Sequence, residues 1–199
     1  VAILNANYMA KRLKPHFPCF TPAPGVAPRA SIIVVTLDGL LFTRLCLESV
    51  LAAFSAPCAS PSSSADFEVI VVDNGSTDGT IEYLGEVAGR DARVHVQANG
   101  RNAGFSVAVN QGVALARGQV LVLLNNDTIV PGGALDRLVD RVGDSRIGLL
   151  GAVTNRAGNE AELDVPYRTC GGLGLFAREH MQAHSGELFD IRTVTMFCT

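Results

Sequence analysis

Tryptophan is absent from this chain of 199 residues, aromatic side chains make up 6% of it, and lysine occurs only at Lys11 and Lys14. Long apolar runs are missing too. The longest, Ile32 to Leu37 and Val120 to Leu124, fall far short of the roughly 20 residues of a membrane-spanning helix, so no membrane span is expected. The five cysteines, Cys19, Cys46, Cys58, Cys170 and Cys198, are odd in number and nowhere form C-x-x-C, which argues against a disulfide framework and a zinc site. A cytoplasmic setting is the default expectation, with the full-length protein at most peripheral at the inner face of the membrane. Acids are lacking from residues 1 to 29, which carry +4, whereas the remainder sets twelve Arg against 19 acids, a net of −7. A body of that sign is poorly suited to nucleic acid, whose affinity comes mainly from cationic contacts to phosphate. What is present, 48% hydrophobic residues with 20 Gly and 9 Pro, suits one ordinary globular core and excludes disorder, collagen and coiled coil.

The confinement of lysine to the start coincides with the Pro-rich stretch Pro15 to Pro28, a composition shift that suggests a boundary. Residues 1 to about 18, Val-Ala-Ile-Leu-Asn-Ala-Asn-Tyr-Met-Ala-Lys-Arg-Leu-Lys-Pro-His-Phe-Pro, resemble a short stretch of the glycine-cleavage P-protein, a pyridoxal-phosphate glycine decarboxylase. Its cofactor lysine has no counterpart here. Residues 1–29 are therefore expected to be a leader outside the fold, with residues 30–199 an incomplete domain. Val1 is not an initiator methionine, and the pattern of a basic region followed by an apolar stretch and a small-residue cleavage site does not appear in the first residues given.

From Ala30 short β-branched runs alternate with amphipathic stretches, the pattern of βαβ crossovers, a mostly parallel sheet and an α/β fold. Strands are expected at Ile32–Thr36, Val69–Val72, Val94–Gln97, Val120–Leu124 and Ile147–Val153. Helices are expected at Thr43–Phe54 with Thr43 as N-cap, Thr80–Val87, Phe105–Arg117 and Ala134–Val142.

Each early strand is followed at once by small, carboxamide or carboxylate residues: Thr36 and Asp38, then Asp73 to Ser76, then Asn99 to Asn102, then Asn125 to Asp127. Open parallel sheets bind ligands outside the carboxyl ends of their strands, so four strands aim polar groups at one rim. Singly, each cluster reads more readily as turn chemistry than as a site. Asp127 stands apart, because a buried strand delivers its carboxylate to the rim, and magnesium uses one or two carboxylates with water and phosphate. Helix capping by Asp127 is handicapped by Pro131, Gly132 and Gly133, which intervene before the next helix.

Four motifs together, Ser31-Ile-Ile-Val-Val-Thr36-Leu-Asp38-Gly, Val69-Ile-Val-Val-Asp73-Asn74-Gly-Ser-Thr-Asp78-Gly-Thr, Asn102-Ala-Gly104-Phe-Ser-Val-Ala-Val-Asn110-Gln-Gly112 and Leu124-Asn-Asn-Asp127-Thr, resemble family 2 glycosyltransferases in order and spacing. The resemblance implies a GT-A fold and an inverting, metal-dependent transfer of a hexosyl or rhamnosyl group from a nucleoside diphosphate sugar (UDP-, GDP- or dTDP-linked). The acceptor would be a glycan or a lipid-linked molecule. By position, Thr36 and Asp38 would border the nucleotide pocket, Asp73 would hydrogen-bond the base, and Asn102, Gly104 and Asn110 would shape the wall beside nucleotide and sugar. Asn125 would also face the nucleotide sugar, and Asp127, last residue of the D-x-D motif, would hold Mn or Mg.

The chain departs from the family pattern in three places. Asn125 replaces the first D-x-D carboxylate, a variant often found in the rhamnosyltransferase-like branch; Asp38 stands where many members have Asn; and the 55–66 loop looks long. The general base is implied to lie beyond Thr199, so no catalytic residue is assigned within the chain. A non-catalytic nucleotide-binding module, a nucleotidyltransferase and, for residues 1–18 alone, a glycine decarboxylase fragment remain as alternatives.

Overall fold

The structure, a computed structural model, describes residues 9–12 (backbone only), 28–53, 67–144, 146–157 and 159–190. Phe54, the 55–66 loop, Cys19, Cys58, Cys198 and most of residues 1–29 lie outside them. The elements run β1 Met9–Arg12, β2 Ala30–Thr36, α1 Leu40–Ala53, β3 Phe67–Asp73, α2 Thr80–Arg90, β4 Val94–Ala98, α3 Phe105–Leu115, β5 Val120–Asn125, α4 Ala134–Val142 and α5 Cys170–Ala183. One sheet of order β1-β5-β2-β3-β4 results, with β5, β2, β3 and β4 mutually parallel and β1 antiparallel on the β5 edge. Residues 1–29 were expected outside the fold, yet Met9–Arg12 pairs with Val120–Leu123.

The chain order explains the layers. Steps β2 to β3 to β4 move one way along the sheet, and the return to β5 on the other side of β2 moves the opposite way. Because parallel crossovers are right-handed, the helices of forward and return steps fall on opposite faces. Accordingly Ile32, Val34, Val69, Val71 and Val122 pack under α1, α2 and α4, through Leu47, Val50, Leu84, Leu135 and Val139. Ile33, Ile70, Val72 and Leu121 pack under α3 through Ala108. Both faces are buried, which is why these strands read as continuous apolar runs. α3 comes so close that a Cβ on Gly112 would stand 2.5 Å from Ile33 Cγ2.

Two expectations need correction. Helix α1 begins at Leu40, so Thr43 is not its N-cap; Asp78 Oδ2, 38 residues on, accepts the Leu40 N–H at 2.8 Å, a tertiary cap that no local pattern announces. Residues 147–153 form no strand. Gly148, Leu149 and Gly151 are exposed there, and only single side chains such as Leu150 and Ala152 reach the core. Smaller differences are shifts of a turn or less at element ends, as in α2 running on to Arg90 and α3 stopping at Leu115.

Candidate active site

The order reversal places a switch point between β2 and β5, and the crevice at their carboxyl ends is where open α/β sheets take ligands. Register levels the strand ends: Thr36 pairs with Asp73, and Val35 with Asn125. With strands about 4.8 Å apart, Asp73 and the end of β5 are separated by roughly 10 Å across β2.

Three anchors build this rim. Thr36 is buried, and its Oγ1 donates to the Asp38 carbonyl at 3.2 Å. It lies 2.8 Å from Thr43 Oγ1 and accepts from Asn126 Nδ2 at 3.2 Å, and the same amide donates to Thr43 Oγ1 at 3.1 Å. Asn126 is thereby pinned inward between β2 and α1, leaving Asn125 and Asp127 to flank it. Asp38 adopts φ 55° and ties two loops together: its N–H donates to Ser76 Oγ at 2.7 Å and its Oδ1 accepts from Thr77 N at 2.7 Å. Asp78 has its carboxyl held below the usual range by the Thr80 hydroxyl and the Leu40 N–H.

Asp73 is 2% exposed; its Oδ2 accepts from Gly75 N and Ser76 N, both at 3.1 Å, while Oδ1 is buried with no hydrogen-bond partner. Buried polar atoms are paired in the great majority of cases, so this orphan at a strand end marks a place where a ligand donor fits. Asn74, equally buried, accepts from Asn99 Nδ2 at 3.1 Å and Ala103 N at 3.0 Å and donates to Asn102 Oδ1 at 2.9 Å. Asn102 Oδ1 also accepts from Gly104 N at 2.9 Å, and Asn99 donates to Gln111 Oε1 at 2.8 Å. A carboxamide network therefore fixes the wall from Asn74 to Gly104. Asn110 is exposed on α3 and takes no part in these bonds.

At the end of β5 the Cys46 thiol donates to the Asn125 carbonyl at 3.5 Å. Burial pushes that thiol up to about 12; the Thr128 backbone opposes the shift and the Asp127 charge adds to it. Ser49 Oγ accepts from Val130 N at 2.9 Å and holds the following segment against the same helix. Asp127 Oδ1 is a buried oxygen. Asp127 and the Asn125 carboxamide are hard oxygen donors, which fits Mg or Mn sharing its remaining positions with water and phosphate. Among the described residues no group of three or more His, Cys, Asp or Glu could hold a metal by itself.

The model of the family described as "Glycosyl transferase family 2" matches residues 31–198. The chain belongs to glycosyl transferase family 2. Similar to this family 2 chain are an uncharacterized protein y4gI of Sinorhizobium fredii, 34% identical over 63% of this chain and 13% of the relative, and an uncharacterized glycosyltransferase EpsJ of Bacillus subtilis, 29% identical over 70% and 38%. A crystal structure of S. aureus TarS residues 1–349 matches with TM-score 0.50 at 22% identity, covering 59% of this chain and 33% of that one, and shows the shared GT-A fold. The family 2 chain thus spans well under half the length of these relatives. The glycine decarboxylase resemblance of residues 1–18 is not borne out.

Of the residues expected at the site, the structure brings Thr36, Asp38, Asp73, Asn102, Gly104, Asn125 and Asp127 to one rim. Thr43, Asn74, Asn99, Gln111 and Asn126 hold them there; Asn74, Asn99 and Asn126 were expected in the rim clusters without a role of their own, and Thr43 and Gln111 were not expected at the site. The density of carboxamides after β3 and β4 was the available signal, since buried amides must pair with one another.

Proposed function

We propose that this chain forms the donor-binding part of an inverting, metal-dependent glycosyltransferase that moves a hexosyl or rhamnosyl group from a nucleoside diphosphate sugar to a glycan or lipid-linked acceptor hydroxyl. The observation that carries the reading is the unpartnered, buried Asp73 Oδ1 at the β3 end, level with the Asn125–Asp127 turn across the switch point.

In this reading Asp73 Oδ1 accepts an N–H of the base, with the Gly75 and Ser76 amides holding the carboxylate in place. The wall of Asn74, Asn102 and Gly104 excludes water from the ribose side, and Asp38 and Thr36 keep the two loops that border the pocket together. Asp127 and Asn125 would hold Mn or Mg. When bound, that ion neutralises charge developing on the leaving diphosphate. Transfer is a single displacement: the acceptor oxygen bonds the anomeric carbon as the carbon–oxygen bond to diphosphate breaks, the electron pair leaving with the diphosphate. None of the described carboxylates is assigned as the base that takes the acceptor proton; that role is proposed to lie beyond Thr199.

Isothermal titration of UDP, GDP and dTDP, each with and without Mn, tests the reading. One nucleotide is expected to bind in a Mn-dependent manner to this chain and to lose that dependence in Asp127→Ala. Metal-independent binding unchanged by the substitution would refute the metal role, and no binding of any nucleotide by the folded chain would refute the donor site.

A further inference from the structure

The segment after α4 packs on the core through Leu150, Ala152 and Tyr167, and between them it folds back on itself. Thr154 N donates to Ala161 O at 2.9 Å, Leu163 N to Thr154 O at 2.7 Å and Glu162 N to Asn159 O at 3.1 Å. Two side chains are held within the loop: Glu162 Oε2 accepts from Ala157 N and Asn159 Oδ1 from Ala161 N, both at 2.9 Å. Thr154 and Ala157 are buried, which seats the loop on the body.

The loop walls a cavity of about 520 Å³ lined by Asn155, Asn159, Glu162, Leu163, Asp164 and Val165. That volume lies within the range of small-molecule sites. The lining narrows the choice of ligand. Among the described residues no Lys or Arg lines it, so a phosphate would face carboxylates without a counter-charge. An apolar ligand would strip water from two carboxamides and two carboxylates without replacing their hydrogen bonds. A divalent cation meets hard oxygen donors here as well, and the calcium titration below separates it from a sugar. What matches is a neutral ring carrying adjacent hydroxyls: each hydroxyl both donates and accepts, as carboxylates and carboxamides require, and the ring's C–H face can rest on Leu163 and Val165. The internal bonds of Asn159 and Glu162 preorient those groups, which spares part of the ordering cost of binding.

We propose that this cavity binds a neutral sugar ring. Its use as the subsite for the acceptor glycan rests on the transferase reading above; the sugar site itself does not.

The test is a ¹H–¹⁵N spectrum of the labelled chain, read at the side-chain amides of Asn155 and Asn159, during titration with glucose, rhamnose and N-acetylglucosamine. Glycerol and CaCl₂ are titrated separately. At least one sugar is expected to shift both amide pairs saturably, and Asp164→Ala to weaken that sugar by about tenfold while the rest of the spectrum is kept. Asn155→Ala, expected to weaken it similarly, is the second variant should the first lose its spectrum. Absence of saturable shifts with every sugar, equal shifts with glycerol, or saturation by calcium alone would each overturn the proposal. UDP with Mn, added to the same sample and read at the amides of Asn74 and Asn102, reports the donor rim separately, so failure of one site is distinguishable from failure of the other.

Discussion

The two ends of the same sheet carry buried carboxylates in opposite states. At the amino ends of the strands, Glu68 is 2% exposed and every approach to it is a donor: Ser31 Oγ at 2.6 Å, Arg117 N at 2.7 Å and Arg117 Nε at 2.8 Å, while Ser31 Oγ in turn accepts from Gly118 N at 2.7 Å. At the carboxyl ends, Asp73 is buried to the same degree but leaves one oxygen unpartnered. A buried polar group with all its partners specifies structure, whereas one left short is a cost the fold bears for a ligand. The amino end therefore reads as stability and the carboxyl end as binding.

Removing each carboxylate should break this contrast most visibly. Glu68→Ala strands the Ser31 hydroxyl and leaves Arg117 uncompensated, and should lower unfolding free energy in urea by about 3 kcal/mol, at the low end for a broken buried pair because Arg117 is half exposed. Asp73→Asn, by contrast, should change stability by less than about 1 kcal/mol and weaken nucleotide affinity by roughly 10- to 100-fold in calorimetry. Equal stability losses at the two positions would erase the distinction.

Glycines sharpen the same comparison between tight packing and open surface. Gly112→Ala drives a Cβ into Ile33 beneath α3 and should cost about 1–2 kcal/mol net, whereas Gly85→Ala on exposed α2, with nothing within 4 Å, should gain about 0.5–1 kcal/mol. Thermal melts of the two variants moving in the same direction would contradict the packing.

Acid separates the ends further. Burial pushes Glu68 up, but hydrogen bonds from Ser31 and from the Arg117 backbone and guanidinium outweigh it and hold the carboxyl below its ordinary 4.5. A depressed folded value means that its stabilisation is present above pH 4.5 and is lost as pH falls through the lowered value. Stability measured from pH 5 downward should fall more steeply for the native chain than for Glu68→Gln. The smallest effect is chemical: iodoacetamide should label exposed Cys170 in the folded chain and reach Cys46, whose thiol is pushed up to about 12, only after unfolding, as peptide mapping would show.

Much of the fold was legible in the residues, because strands buried on both faces must be continuous apolar runs and helices between them must be amphipathic. Ile32–Thr36, Val94–Gln97 and Ala134–Val142 were found within two residues of their observed bounds. Residues 147–153 misled because apolar content alone does not tell a strand from single side chains packed on the core, as at Leu150 and Ala152. Thr43 misled because the helix cap came from Asp78, far away in the chain. At the rim, Asp127 stood out as a carboxylate ending an apolar strand and Asp73 through the family resemblance, but nothing local told Asn126 from Asn125, since their roles differ only by which one meets Thr36 and Thr43. The 154–165 loop was passed over entirely; its cavity arises from the Thr154 and Leu163 backbone bonds and not from any periodicity.

Composition and alternation by themselves determined an α/β layer with polar residues after its strands, because burial of both sheet faces dictates residue type position by position. Only the tertiary structure decided which oxygens are satisfied and which are left open to a ligand, because that depends on donors arriving from residues 29 to 49 positions away, such as the Ala103 N–H on Asn74 and Arg117 on Glu68.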